Sequence, residues 1–229
     1  GAQATASHTA SIAGDYAVTR ELAEAAGVLV ADTLEDFEDL TRLAVLLRGK
    51  RVDAWGLGAV SNAGFECVGV ADNLGRFALA SFAPETRERL AAVLAGRRLT
   101  GIVDVHNPLD VTPILDDAGY EEAVRAILDD PAVAVGLVGC VPLTPALSTL
   151  APGTGHREDC ARPDAVAGRL ARVFAESPKA WVVVVDAGPL YDPLARDLAA
   201  HGLPVFRTVD RALRSLERYC GWRRHLLAQ

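Results

Sequence analysis

The run VAVGLVGCV, residues 133–141, decides the fold. Every position in it is apolar or glycine, so no period-two alternation separates a wet face from a dry one. A strand of this kind is buried on both faces, as in a parallel sheet sandwiched between helices. AWVVVVDA (180–187) repeats the pattern. Helical periodicity flanks both runs, in YEEAVRAILDD (120–130) and DAVAGRLARVFAES (164–177). Further out, LGAVS (57–61), RFALAS (76–81), GIVDV (101–105) and PVFRT (204–208) read as strands. FECVGVADNL (65–74), PETRERLAAVLAG (84–96), PLARDLAAHG (193–202) and DRALRSLERYCGWRRHLL (210–227) read as helices between or after them. Repeated β-α units predict an α/β, flavodoxin-like or Rossmann-like domain, doubly wound, with a mostly parallel sheet flanked by helices.

Before this domain the pattern is shorter. Residues 15–26 carry Val18, Leu22 and Ala26 at helical spacing, Gly27 closes that helix, and VLVA (28–31) reads as a short strand. Thr33 with Asp36 forms a variant capping box ahead of LEDFEDLTRLAVLLRG, whose apolar face is read as Leu34, Phe37, Leu40, Ala44 and Leu47. The turn-rich GKRVDAWG sets the expected boundary: a helix-strand-helix tail of a second such domain over 1–49, then the main domain over 50–229.

Composition narrows the function. Half of the 229 residues are hydrophobic and 23% are charged, enough for a sizeable core. The net charge of -7 argues against a nucleic-acid or acidic-membrane surface. No apolar run reaches the roughly 18–20 residues needed to span a bilayer, and the opening lacks the basic and apolar regions of a secretory signal. Cys67, Cys140, Cys160 and Cys220 are scattered, which predicts reduced thiols in a cytoplasmic protein.

Doubly wound sheets bind ligands beyond the carboxyl ends of their strands. The loops to weigh are therefore SNAGF (61–65), HNPLDVTP (106–113), the stretch 141–160 and DAGPLYDP (186–193). SNAGF joins a strand to a helix. Ser61 or Asn62 can cap that helix, and Gly64 lets its first turn approach a ligand, an arrangement suited to an anion and equally to a plain turn. HNPLDVTP presents Asn107, Asp110 and Thr112 between two prolines, either toward a substrate or to hydrogen-bond their own backbone. His156 and Cys160 are too isolated for a metal site. Asp186, Tyr191 and Asp192 suit capping and turns. His106 stands out by position alone. No glycine fingerprint for dinucleotides, no P-loop and no nucleophile elbow is present. His8, in GAQATASHTASIAGD (1–15), reads by itself as a solvated tail residue.

Taken together, these segments resemble the ADP-forming acyl-CoA synthetases, relatives of succinyl-CoA synthetase. SHTASIAG (7–14) is similar to that family's SHTGALAG loop, and AAGVLVADTLEDFEDL (25–40) to the segment that follows it. SNAGF is similar to the family's TNAGG turn and HNPLDVTP to its NPVDVT loop. VGCVPLTPAL (138–147) and GLPVFRTVDRALRSL (202–216) resemble late segments of the same chains. Ala10 and Phe65 stand where the family motifs have glycine.

The resemblance implies an enzyme that interconverts acyl-CoA, ADP and phosphate with a carboxylic acid, CoA and ATP, through an acyl phosphate and a phosphohistidine. It implies His8 as the carrier, and Ser61, Asn62, Ala63 and Gly64 as the phosphate-binding turn. Asn107 and Asp110 fall on the substrate side, and no metal is expected in this chain. Phosphate or acyl phosphate would be its ligand. CoA, ATP or ADP, and Mg would be held by CoA-binding and ATP-grasp domains outside this sequence, which would make it a fragment or subunit inactive alone. Two other readings remain open: a regulatory or scaffolding synthetase-like domain, as in protein lysine acetyltransferases, and a flavodoxin-like module that binds a small anion.

Overall fold

A computed structural model describes residues 15–142 and 144–227. Six parallel strands form one sheet: β1 (Gly56–Ser61), β2 (Ala78–Leu79), β3 (Leu109–Asp110), β4 (Val135–Gly139), β5 (Ala180–Val184) and β6 (Val205–Phe206). Their order is β2-β1-β4-β5-β6, with β3 also on β1. β4 and β5, the strands expected to be dry on both faces, are buried at every position. The domain is thus the doubly wound α/β sandwich that VAVGLVGCV implies.

The described helices are α1 (Tyr16–Ala25), α2 (Leu34–Leu46), α3 (Gly64–Asp72), α4 (Pro84–Gly96), α5 (Asp117–Asp129), α6 (Val166–Glu176), α7 (Asp192–Ala200) and α8 (Val209–Leu227). They pack in two rows. α4, α5, α6 and α7 follow one another, while α8 packs against both α2 and α3.

β1 is the central seam. β4 runs beside it from Leu57 to Val60. β2 pairs with its start, at Gly56 and Leu57, and β3 with its end, at Val60 and Ser61. A side chain fills the gap between those two short strands. Asn107 Oδ1 accepts from Ala59 N at 3.0 Å, and its Nδ2 donates to Leu57 O at 2.7 Å and Ala80 O at 2.9 Å. The amide does there what a strand residue would do, satisfying backbone groups that burial would otherwise penalise.

Three local expectations change. Residues 28–31 are not a strand, and α8 claims a carbonyl just before them and one within them: Trp222 Nε1 donates to Gly27 O at 2.7 Å and an Arg218 Nη donates to Val30 O at 2.7 Å. Residues 101–105 are not a strand either. Ile102 N and Val103 N both turn back to Leu99 O, around Arg98 and Gly101 at positive φ, and Leu109–Asp110 takes the place beside β1. In α2 the Thr33 cap on Asp36 N forms at 3.0 Å, but the buried face is Leu40, Leu43 and Leu47, while Leu34 and Phe37 are exposed. The cause is Asp39, buried against α8. It accepts from Arg211 Nε at 2.6 Å and Arg42 at 2.8 Å, with Ser215 Oγ at 3.3 Å. That contact fixes the roll of the helix.

Candidate functional site

The carboxyl ends of β1, β3 and β4 surround a pocket of about 250 Å³. It is lined by the turn Asn62–Ala63–Gly64, by Asp110 and Thr112 from the HNPLDVTP loop, and by Val141 and Thr144 beyond β4. Cross-links between these loops hold it open. The Asn62 amide donates to Val141 O at 2.7 Å and accepts from Val141 N at 2.8 Å. Thr144 Oγ1 donates to Pro113 O. Asp110 Oδ1 accepts from Thr112 N at 2.9 Å, in the short side-chain turn favoured by Asp. Thr112 adopts a φ of 63°, and its Oγ1 is buried with no protein partner.

Neither Ser61 nor Asn62 caps α3, contrary to expectation. Ala63 is the N-cap residue, with no side-chain hydrogen bond to the helix. Both polar side chains are turned inward, Asn62 to Val141 and Ser61 to Glu66. The start of α3 therefore meets the pocket with the backbone N–H groups of an uncapped helix, positive by virtue of the helix dipole. Gly64 keeps this approach close: a Cβ at this position would lie 3.0 Å from Asp110 Oδ2, and the carboxylate would have to shift to admit it. Phe65 projects outward, 59% exposed.

Beneath the turn lies a carboxyl that the sequence reading passed over. Ser61 Oγ accepts from Ala63 N at 3.1 Å and donates to Glu66 Oε2 at 2.5 Å. Glu66 is 1% exposed, and its Oε1 has no partner. Burial raises its pKa from an ordinary 4.5 to about 7; the Ser61 bond pulls it down and the charge of Asp186 pushes it up. Gly139 makes room for this carboxyl, since a Cβ there would sit 1.9 Å from Glu66 Oε2. The available signal was its place as the third residue of the helix, where an acid commonly reaches back to the N-cap.

The remaining candidates fall as follows. His8 lies outside the described residues. Ser61 is buried under the turn, while Asn62, Ala63, Gly64 and Asp110 line the pocket. Asn107 does not: both amide hydrogens go to backbone carbonyls of the sheet, so it supports the loop from behind. His106 and His156 are exposed and Cys160 is buried. Among the described residues no group of three or more His, Cys, Asp or Glu is placed to hold a metal ion. Glu158 instead closes its own loop, accepting from Thr149 N at 2.7 Å and Leu150 N at 3.1 Å. All four cysteines are buried and free. No described helix is long and apolar enough to cross a membrane.

Comparison with known proteins bears on this geometry. The succinyl-CoA ligase like flavodoxin domain family matches residues 1–44. The alpha subunit of ADP-forming acetate–CoA ligase II from Pyrococcus furiosus is 30% identical over 166 residues, covering 71% of this chain and 34% of the relative. ADP-forming acetate–CoA ligase I from Archaeoglobus fulgidus is 26% identical over 218 residues, covering 94% of this chain and 27% of the relative. The chain thus spans about a third or less of the length of these curated relatives. The fold matches that of the dinucleotide forming acetyl-coenzyme A synthetase 1 of Candidatus Korarchaeum cryptofilum, solved in complex with phosphate and ADP. The TM-score is 0.73 at 24% identity, covering 100% of this chain and 46% of that one. The chain is similar to about a third of the length of ADP-forming acetate–CoA ligases and shares the α/β fold of the acetyl-coenzyme A synthetase.

Proposed function

We propose that this chain supplies the phosphoryl-carrying part of an ADP-forming acyl-CoA synthetase. The observation that supports this most is the uncapped start of α3, opening into a pocket at the carboxyl end of the sheet, in a chain with such relatives. Acyl-CoA and phosphate give acyl phosphate and free CoA. A neutral His8 imidazole nitrogen then attacks the phosphorus, and the carboxylate leaves with the electron pair of the broken P–O bond. ADP attacks phosphohistidine in turn, which yields ATP and restores His8. Covalent transfer divides one difficult exchange into two steps, and a neutral imidazole is available near pH 7.

In this reading the Asn62–Gly64 turn receives the phosphoryl group while His8 carries it. The N–H groups and dipole of α3 stabilise its negative charge. Asp110 and Thr112 hold the adjacent loop in place. CoA-binding and ATP-grasp domains, in the same or another chain, are the partners, and they hold CoA, the nucleotide and Mg. The test combines this chain with those partners and supplies ATP labelled in the γ-phosphate, or labelled acyl phosphate. Acid-labile label on His8, absent from His8→Asn, is expected. A wild-type protein that turns over without labelling His8 would overturn the reading.

A further inference from the structure

Glu66 occupies the third position of α3, where a carboxylate ordinarily accepts the N-cap N–H directly. Here a hydroxyl is inserted: Ala63 N donates to Ser61 Oγ, and Ser61 Oγ donates to Glu66. The second carboxyl oxygen is buried and unpartnered, in a side chain 1% exposed. The described groups that act on its charge are neutral or acidic. Asp186 comes from beyond β5, Cys140 from beyond β4, Tyr120 from α5 and Cys67 from α3 itself, and Asp110 of β3 acts in turn on Cys67 and Tyr120. No cation is among these described groups. The positive end of α3 is therefore what stabilises a charge on Glu66, and it is the same feature that a bound anion would use.

We propose that Glu66 sets the charge of the phosphate-binding turn, acting through Ser61 as a positioning residue: a dianion at the start of α3 draws a proton from solvent onto Glu66, and ionisation of Glu66 weakens the hold on that dianion. The inference rests on the reading of the Asn62–Gly64 turn as a phosphate cradle. Two negative groups compete for one helix end across a dry interior, where their repulsion is poorly screened. Coupling of this kind is reciprocal: the factor by which the anion favours the protonated carboxyl is the factor by which the proton favours the anion. The turn thereby selects a dianionic ligand together with a proton.

Sulfate is the probe, because it stays dianionic from pH 6 to 8, whereas phosphate titrates in that range. Its affinity for the 229-residue chain is read from the backbone amide shifts of Gly64 and Phe65. For the wild type, affinity falls by about fivefold between pH 6 and 8, the part of a one-unit coupling that this range expresses for a carboxyl titrating near 7. Glu66→Gln keeps an acceptor for Ser61 and should bind equally at both pH values. A fall that persists in Glu66→Gln, or a flat wild-type profile, overturns the coupling and leaves the cradle standing. Sulfate that shifts neither amide at any pH, in either protein, overturns the cradle reading and the coupling with it. In the unmodified chain, saturating sulfate should also raise the midpoint of the Glu66 carboxyl ¹³C titration; an unmoved midpoint overturns the proposal without any substitution.

Discussion

At the residue scale, Glu66 links the site to stability. Its folded-state pKa is raised to about 7 from an ordinary 4.5, chiefly by burial. The folded chain therefore binds this proton more tightly than the unfolded chain. The stabilisation is fully present below about pH 4.5 and is lost as pH rises through about 7. The loss approaches about 3 kcal/mol if the full displacement is expressed. Glu66→Gln should remove that part of the slope, so urea unfolding of the two proteins at pH 5 and pH 8 gives the difference. Equal slopes would mean that Glu66 is ionised throughout. The same residues show where local reading stops. Ser61 and Asn62 have the chemistry of helix caps and stand at the right place, yet Asn62 bonds to Val141, 79 residues away. A buried backbone N–H and C=O at Val141 competed for that amide, and no local pattern reveals such a partner.

At the element scale, long periodic segments were legible and short ones were not. α4 begins and ends where PETRERLAAVLAG does, with Pro84 in its first turn, and β1 and β4 follow their apolar runs. The failures at 28–31 and 101–105 share a cause. Apolar composition marks a segment for burial, but a strand also needs a neighbour with free ladder positions, and these two segments have none. For α2, periodicity established a helix, while the roll came from Asp39 and its two arginines. Asp39→Ala removes a buried carboxylate from between Arg42 and Arg211, which are 38% and 31% exposed, and leaves Arg211 paired with Glu35. About 1.5–3 kcal/mol of destabilisation is expected, the usual worth of a hydrogen bond to a charged group. Denaturant unfolding measures it, and a loss below about 1 kcal/mol, typical of an exposed pair, would show that Leu40, Leu43 and Leu47 alone hold the helix.

At the scale of the whole molecule, residues ahead of β1 share a core with the sheet. Leu40, Leu43 and Leu47 belong to the same buried cluster as Trp181 and Tyr219, and Trp222 reaches back to Gly27. The leading segment and the sheet should then unfold together. Fluorine-labelled tryptophan separates the two regions, since Trp222 reports the first and Trp181 the second. One common urea midpoint is expected, whereas a lower one for Trp222 would show the leading segment detaching alone. Fold class and the sheet edge that carries the pocket were readable because burial of whole strands leaves a mark in composition. The interior wiring of that face was not, because it joins loops distant in sequence. Asn107 carries a last consequence. The edge of β1 between β2 and β3 is closed by one side chain and not by a strand. Replacing that single amide leaves Ala59 N and Ala80 O without this partner at once, while Leu57 O keeps Ala80 N. The wall of the pocket at the end of β1 thus depends on a residue that does not line it.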